Sequence, residues 1–560
     1  MRKLTLIALA AFALALAPTA ARAQANDAAV ARNLALFNKL YKELVTYYVD
    51  TIDADHSIQT AIDAMLYEMD PYTEYISAKE AKDFLVVSTG EYGGIGSYIN
   101  QRTGDKKGVY ISGPYAGSPA AKAGLRSGDR IIMIDGDSAT NWTSEQVSQR
   151  LKGQPGTTVR LRVARPYVAD SILDFNIRRE TIKVDPVTYY GVTHDNIGYI
   201  CLSTFNEQSA RQVKDALIAL KKDPRVKAIA LDLRGNGGGV VEAAIQIVGC
   251  FVPKGTRVLV MRGREKNSEK TYKTTSQPID TKIPLAVLIN GGSASASEIT
   301  AGALQDLDRA VIIGQRSYGK GLVQTTRPLP LDAMLKVTIA KYYLPSGRLI
   351  QEVDYSQRNA DGSFKNAEDA ATDTTTKKGE PYYTAAGRTV YGGAGITPDI
   401  EVKTPEATRL VYNVVRDSWD FDYATRYAAT HPSIPDPDHF EITDEIWQDF
   451  KQSIDPKKFE YDKVCEQQLQ KLRKAAENEG YMNDSVKSAL DHLESLLRHD
   501  LDHDLDLHRK EISTYLAQEI LDRYYYRAGQ VQYGVRYDDA LARAKELFDS
   551  PTEYTRTLHR

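Results

Sequence analysis

Cysteine is scarce: Cys201, Cys250 and Cys465 are the only three in 560 residues. One disulfide would leave a thiol over, so a disulfide-built scaffold and a four-cysteine zinc site are both excluded. Cys201 and Cys250 stand in apolar runs and read as buried thiols rather than nucleophiles. A basic surplus is also lacking. The 71 Lys and Arg face 74 Asp and Glu, a net charge of -3, which argues against the positive footprint of a nucleic-acid binder. Beyond the first residues no run approaches the ~20 apolar residues that a membrane span needs. Histidine is missing from Asp195 to Thr430, although the chain has nine. Any serine nucleophile in that stretch must therefore look elsewhere for its base.

What is present is ordinary in bulk and informative in order. Hydrophobic content of 42% with 26% charged residues suits a soluble globular protein, and the length allows three or four domains at ~150 residues each. Arg2 and Lys3 precede the apolar run Leu4 to Leu16, and Ala21-Arg22-Ala23 follows as an A-x-A cleavage site. These features predict a signal peptide over 1–23, a mature chain from Gln24, and a periplasmic or extracellular location. Helical spacing of Leu34, Phe37, Leu40 and Leu44 predicts an N-terminal helical region over 24–88. Short β-runs with glycine turns fill 89–181. Strands and helices then alternate over 182–404, the pattern of an α/β domain, with a polar excursion from Asp354 to Lys378. From 405 to 560 only helical periodicity is visible, which predicts a separate helical module.

Three turns in the alternating region carry candidate chemistry. Asn290 to Glu298 joins an apolar strand to a helix, where a serine hydroxyl can be exposed beside amides able to hold an oxyanion. Ser295 to Glu298 also fits the S-x-x-E capping box, so Ser295 can equally be a helix cap. The spacing does not choose among Ser293, Ser295 and Ser297. Gly319-Lys320-Gly321 with Gly314 resembles a phosphate-binding loop, but that motif needs Ser or Thr after the lysine and then a helix. Gly321 and a strand-like run follow instead. Gly237-Gly238-Gly239 follows the strand Val226 to Leu233 and leaves backbone amides accessible at a helix start. With no histidine at hand, a serine with a lysine base becomes the natural pairing, provided that the lysine can be held neutral.

Ser295-Ala296-Ser297-Glu298, Gly319-Lys320-Gly321 with Gln324, and Asp232-Leu233-Arg234 before a glycine turn resemble the carboxyl-terminal processing peptidases. The resemblance covers about Leu36 to Val402. It implies a multidomain α+β protein with N-terminal helices, a β-sandwich-like PDZ domain, a crotonase-like α/β protease core and a C-terminal helical domain. Ser295 is then the nucleophile, Lys320 the general base and Gln324 the residue that orients the lysine. The backbone amides of Gly238 and Ala296 form the oxyanion hole, with Gly239 the alternative one position along. The chain departs from the family at Gly237, where proline is common. Gly93-Gly94-Ile95-Gly96 resembles the PDZ loop that captures a peptide carboxylate while the peptide adds a strand.

The expected activity is that of an exported serine endopeptidase acting on proteins with free C-termini, with no cofactor and no metal. Homodimerisation through the terminal helices and an activating partner are further implications of the resemblance. The rival reading is a PDZ peptide-binding scaffold whose core has lost activity. His499 and His503 stand at metal-ligand spacing but lack the glutamate of H-E-x-x-H, and read as a solvated helix face.

Overall fold

The computed structural model describes residues 27–265, 268–355, 358, 364, 379–403, 407–461 and 463–559. The expected signal peptide and most of the polar excursion lie outside these residues. The chain divides into two compact units.

The first unit comprises residues up to Ser77 together with Gln324–Thr338. Helices over 27–47 and Ala54–Tyr67 lead to the short strand Glu74–Ile76, which pairs antiparallel with Met334–Lys336. Asp53 caps the second helix by accepting from the His56 amide at 3.0 Å. Asp70 closes the following turn, accepting from the amides of Tyr72 and Thr73 at 2.9 Å each.

The second unit holds everything else, and its centre is a six-stranded sheet. Val187–Val192 runs antiparallel to Ile197–Leu202, and Ala228–Asp232, Leu285–Ile289, Val311–Gly314 and Ile400–Glu401 continue in parallel. The central strands AIALD and LAVLI are buried throughout, and apolar except for the terminal Asp232, because both faces are covered. The period of two separates the faces. Ile229, Leu231, Leu285, Val287 and Ile289 pack under the helices Ser209–Lys221, Val241–Val248 and Ala296–Asp306. Ala230, Ala286 and Leu288 pack instead against Leu541, Ala544, Leu547 and Leu558. Those last residues belong to the helices Asp539–Asp549 and Pro551–Leu558. The C-terminal segment is therefore not wholly a separate module: its final helices are the outer layer of the six-stranded sheet. Their amphipathic spacing announces a buried stripe but not which surface buries it.

The expected PDZ fold is present over roughly 91–183. Ser97–Arg102, Gly108–Pro114, Arg130–Ile134, Thr158–Ala164 and Ile172–Arg178 form an antiparallel sheet with Asp137–Ser138 at its side. Thr158–Ala164 alternates exposed and buried residues, sending Val159, Leu161 and Val163 into the core. Its helix Ser144–Leu151 starts with a reciprocal capping box between Thr143 and Gln146. Other C-terminal helices, between 409 and 453 and between 501 and 535, enclose their own core around Trp447, Phe450, Leu516 and Ile520. This helical body holds the PDZ domain through charge: Arg102 donates to both oxygens of Asp422, at 2.6 and 3.0 Å, and Lys106 pairs with the same carboxylate. His499, set aside above, faces Glu466 at 3.0 Å.

Candidate active site

Two loops at the strand ends of the sheet meet around Ser295. The strand Leu285–Ile289 turns through Asn290–Ala294 into the helix Ala296–Asp306, and Ser295 sits at the junction with φ 56° and ψ -112°. A non-glycine residue in that region is strained, and such strain persists only where the surroundings enforce it. The enforcement comes largely from the second loop, 233–239. Ser293 Oγ donates to the Leu233 carbonyl at 2.8 Å, the Ala294 amide to the Asn236 carbonyl at 3.0 Å, and Ser297 Oγ to the same carbonyl at 2.8 Å. Asn290 Oδ1 accepts from Gly235 at 2.9 Å and from Gly292 at 3.0 Å. Of the three candidate serines, Ser293 and Ser297 are thus occupied in holding the loops together.

Gly238 lies directly against the nucleophile turn. A Cβ placed there would sit 2.7 Å from the Ala294 carbonyl and 2.8 Å from both the Ala296 nitrogen and Ser295 Cβ, and φ is +95°. Only glycine fits. The Gly238 amide expected to point at an oxyanion instead donates to Asn236 Oδ1 at 2.9 Å. A donor engaged inside its own loop is a difference from the sequence expectation, and its cause is the side chain two residues back. The carbonyl of the next peptide is taken by the Phe205 amide at 3.1 Å, so its trans N–H, on Gly239, faces away from Phe205.

Glu298 joins Ser295 to Lys320. Its Oε2 accepts the backbone amides of Ser295 at 2.8 Å and Lys320 at 2.9 Å. Its Oε1 accepts Ser317 Oγ at 2.5 Å and the Gly319 amide at 2.7 Å. Glu298 is fully buried. Burial pushes its carboxyl up to about 7, against the pull of these four donors. From sequence Glu298 is only the far half of a capping box, and the box's return bond to the Ser295 amide is indeed made; the same carboxylate then continues into the lysine loop. Tyr342, from the strand Met334–Tyr343, supplies a second link that no sequence signal marks. Its hydroxyl donates to the Lys320 carbonyl at 2.6 Å and lies 3.3 Å from the Ser295 carbonyl. Burial, followed by the charge of Glu298, raises this phenol well above its ordinary range.

Ser295 and Lys320 belong to the second unit and Gln324 to the first. Gln324 stands on the strand Leu322–Pro328, and its amide donates to Thr338 Oγ1 at 3.1 Å. In the PDZ domain, Gly93 and Gly94 end the strand Glu91–Gly94, which pairs with Glu180–Lys183. The Gly93 carbonyl accepts the Gly153 amide at 3.0 Å, and a Cβ on Gly93 would meet the Gly153 carbonyl at 2.1 Å, so close packing accounts for that glycine. The Ile95 side chain is in the PDZ core. The Ile95 carbonyl accepts from Ala120 at 2.8 Å and that of Gly96 from Tyr115 at 2.9 Å, which fixes the loop entering Ser97–Arg102. The helix Ser144–Leu151 adjoins that strand, its Ser144 amide on Gln101 Oε1 at 2.9 Å.

A strained serine between an apolar strand and a helix, backed by a glycine loop and tied to a lysine, has the form of a peptidase site. Residues 196–356 match the family described as Peptidase family S41, residues 110–165 a PDZ domain, and residues 410–548 the C-terminal helical domain of probable PDZ-proteases. The chain is thus a PDZ-bearing peptidase. A carboxy-terminal-processing protease of Bartonella bacilliformis is 38% identical over 331 residues, 59% of this chain and 75% of that protein. The carboxy-terminal processing protease CtpA of Bacillus subtilis is 34% identical over 316 residues, 56% of this chain and 66% of that one. Among solved structures, a photosystem II D1 C-terminal processing protease shares 25% identity, covering 66% of this chain and 92% of its own, with a TM-score of 0.34. The PDZ domain of a carboxy-terminal protease from Vibrio cholerae, solved with a peptide, shares 33% identity over 17% of this chain and 98% of its own, with a TM-score of 0.15. The chain belongs to the carboxy-terminal-processing protease family.

Proposed function

We propose that the protein is an exported serine endopeptidase working through a Ser295–Lys320 dyad on substrates presented by their C-termini. The observation that carries the dyad is the single Glu298 oxygen that accepts the amides of both residues, so that one buried group sets both backbones. In the reaction Lys320 Nζ takes the proton of Ser295 Oγ as Oγ bonds to the scissile carbonyl carbon. The negative oxygen that develops is stabilised by the Ala296 amide and the glycine loop. With the Gly238 amide engaged by Asn236, Gly239 is the second donor in this reading. The lysine then passes its proton to the departing amine, and water cleaves the acyl-enzyme by the reverse sequence. The PDZ loop 93–96 receives the substrate carboxylate, and the peptide extends the edge beside Ser97–Arg102.

Incubation of wild type, Ser295→Ala and Lys320→Ala with an unfolded protein ending in apolar residues tests this reading. Cleavage by wild type alone is expected, together with slower cleavage when the substrate C-terminus is amidated. Equal cleavage by all three proteins refutes the dyad, and no cleavage by any favours the binding scaffold. N-terminal sequencing of the mature protein tests export, with Gln24 as the expected first residue.

A further inference from the structure

We propose that Asp538 is a positioning residue of the peptidase site, acting through Arg234 on the glycine loop that faces Ser295. The inference rests on the Ser295 reading above and adds to it a role for the far end of the chain.

Arg234 opens the loop 233–239 and reaches no reacting atom itself. Its guanidinium lies between two carboxylates. On one side Nε donates to both oxygens of Asp232 at 3.0 Å, and Nη2 adds a bond of 2.5 Å. On the other side Nη1 donates to Asp538 Oδ1 at 3.1 Å, and Nη2 to Asp538 Oδ2. Burial alone would lower the Arg234 pKa, but the two carboxylates outweigh it and raise it. Asp232 also accepts the Arg234 amide at 2.9 Å and the Tyr199 hydroxyl at 2.6 Å. The direction in which the chain leaves the strand is therefore set by this cluster. One residue later the Gly235 amide is on Asn290, and two residues later the Asn236 carbonyl carries Ala294 and Ser297. A shift of Arg234 thus passes to both sides of the nucleophile turn within two residues.

Asp538 is placed firmly enough to act in this way. It caps the helix Asp539–Asp549 by accepting the Leu541 amide at 3.0 Å. That helix lays Leu541, Ala544 and Leu547 on the same sheet whose strand end bears Arg234. Packing fixes the carboxylate, the carboxylate fixes half of the guanidinium, and the guanidinium fixes the loop.

Asp538→Asn separates positioning from capping, because asparagine caps helices about as well as aspartate but offers one oxygen and no charge to Arg234. In the full-length protein, kcat on a peptide substrate should fall about tenfold with KM within about twofold, since a charge-assisted pair is lost away from the substrate. The melting temperature should stay near that of the wild type. In an Arg234→Gln background the same substitution should change kcat by less than about twofold, because its route to the loop is gone. Wild-type kcat in Asp538→Asn overturns the proposal, as does an equal loss in both backgrounds or a loss matched by the unfolded fraction. If Arg234→Gln does not fold, the kcat and KM values of Asp538→Asn decide alone. Ser295→Ala run in parallel keeps the two readings apart: activity surviving there refutes the dyad, whereas inactivity there with a normal Asp538→Asn refutes only this inference.

Discussion

Replacing Glu298 by glutamine perturbs a buried carboxylate that holds the amides of both Ser295 and Lys320, and its consequences have opposite signs for stability and for catalysis. The folded-state carboxyl titrates at about 7 against an ordinary value of 4.5. Its folded pKa is raised, so below pH 4.5 both states carry the proton and Glu298 costs nothing. As pH rises from 4.5 through 7 the unfolded state releases its proton first, and stability falls until the penalty is complete above 7. A gap of roughly 2.5 pH units at ~1.4 kcal/mol each amounts to about 3 kcal/mol. Glutamine does not titrate, so the stability of the variant relative to wild type should improve by about 2.5 kcal/mol between pH 5 and pH 8, the first part of the penalty being already present at pH 5. Catalysis runs the other way, because only the ionised carboxylate accepts all four donors. Wild-type kcat/KM should therefore rise with pH through about 7. In the variant the amide nitrogen is best turned toward Ser317 Oγ, which is able to accept, leaving the carbonyl oxygen for Ser295 and Lys320. The Gly319 amide then faces a donor, a loss of about 1–3 kcal/mol. Urea unfolding at pH 5 and 8, with a pH profile of cleavage, reads both effects. A stability difference that is the same at both pH values, or a rise near pH 7 that survives in the variant, refutes the role given to Glu298.

Gly238→Ala forces a methyl group to within 2.8 Å of Ala296 N and Ser295 Cβ at a φ of +95°, and should cut kcat by about 100-fold or more; cleavage assays on protein shown by circular dichroism to be folded check it, and near-normal turnover speaks against the loop contact. Asp422→Ala leaves Arg102, only 9% exposed, without its partner, at about 2 kcal/mol or more. Hydrogen exchange in Ser97–Arg102 and Gly108–Pro114 should quicken about 30-fold, and unchanged protection counts against charge as the link between the PDZ domain and the helical body. Leu541→Ala opens a cavity on the outer sheet face and should cost about 2–5 kcal/mol in denaturant unfolding. A cost below about 1 kcal/mol would show that the last helices are dispensable to the sheet.

The parts of this site that were legible in sequence are those whose chemistry is local. The alternating run at Thr158–Ala164 shows a half-buried strand because its own residues take turns facing the core. The serine turn and the Gly-Lys-Gly loop are each short enough to recognise. Glu298 was visible only as a helix-capping partner, since that bond spans three residues, whereas its bonds to Gly319 and Lys320 span 21 and 22. Tyr342 carries no pattern at all: it is one aromatic in a strand, and only folding brings its hydroxyl to Lys320. The engagement of the Gly238 amide depends on the rotamer of Asn236, which composition does not encode. The final helices showed an apolar stripe, but a stripe does not name its partner, and Arg234 and Asp538 stand 304 residues apart.

The covering of the protease sheet by residues 539–558 sets an order of assembly. Synthesis lays down the strands that carry Ser295 long before the helices that close their outer face. Until the last helices arrive, Ala230, Ala286 and Leu288 lack Leu541, Ala544, Leu547 and Leu558 as packing partners, and Arg234 lacks one of its two anchors. A chain broken off early, or clipped near its end, has the residues of the active site without the frame that aligns them. The final helices thus belong to the frame of the sheet that leads to Ser295 rather than to a module beside it.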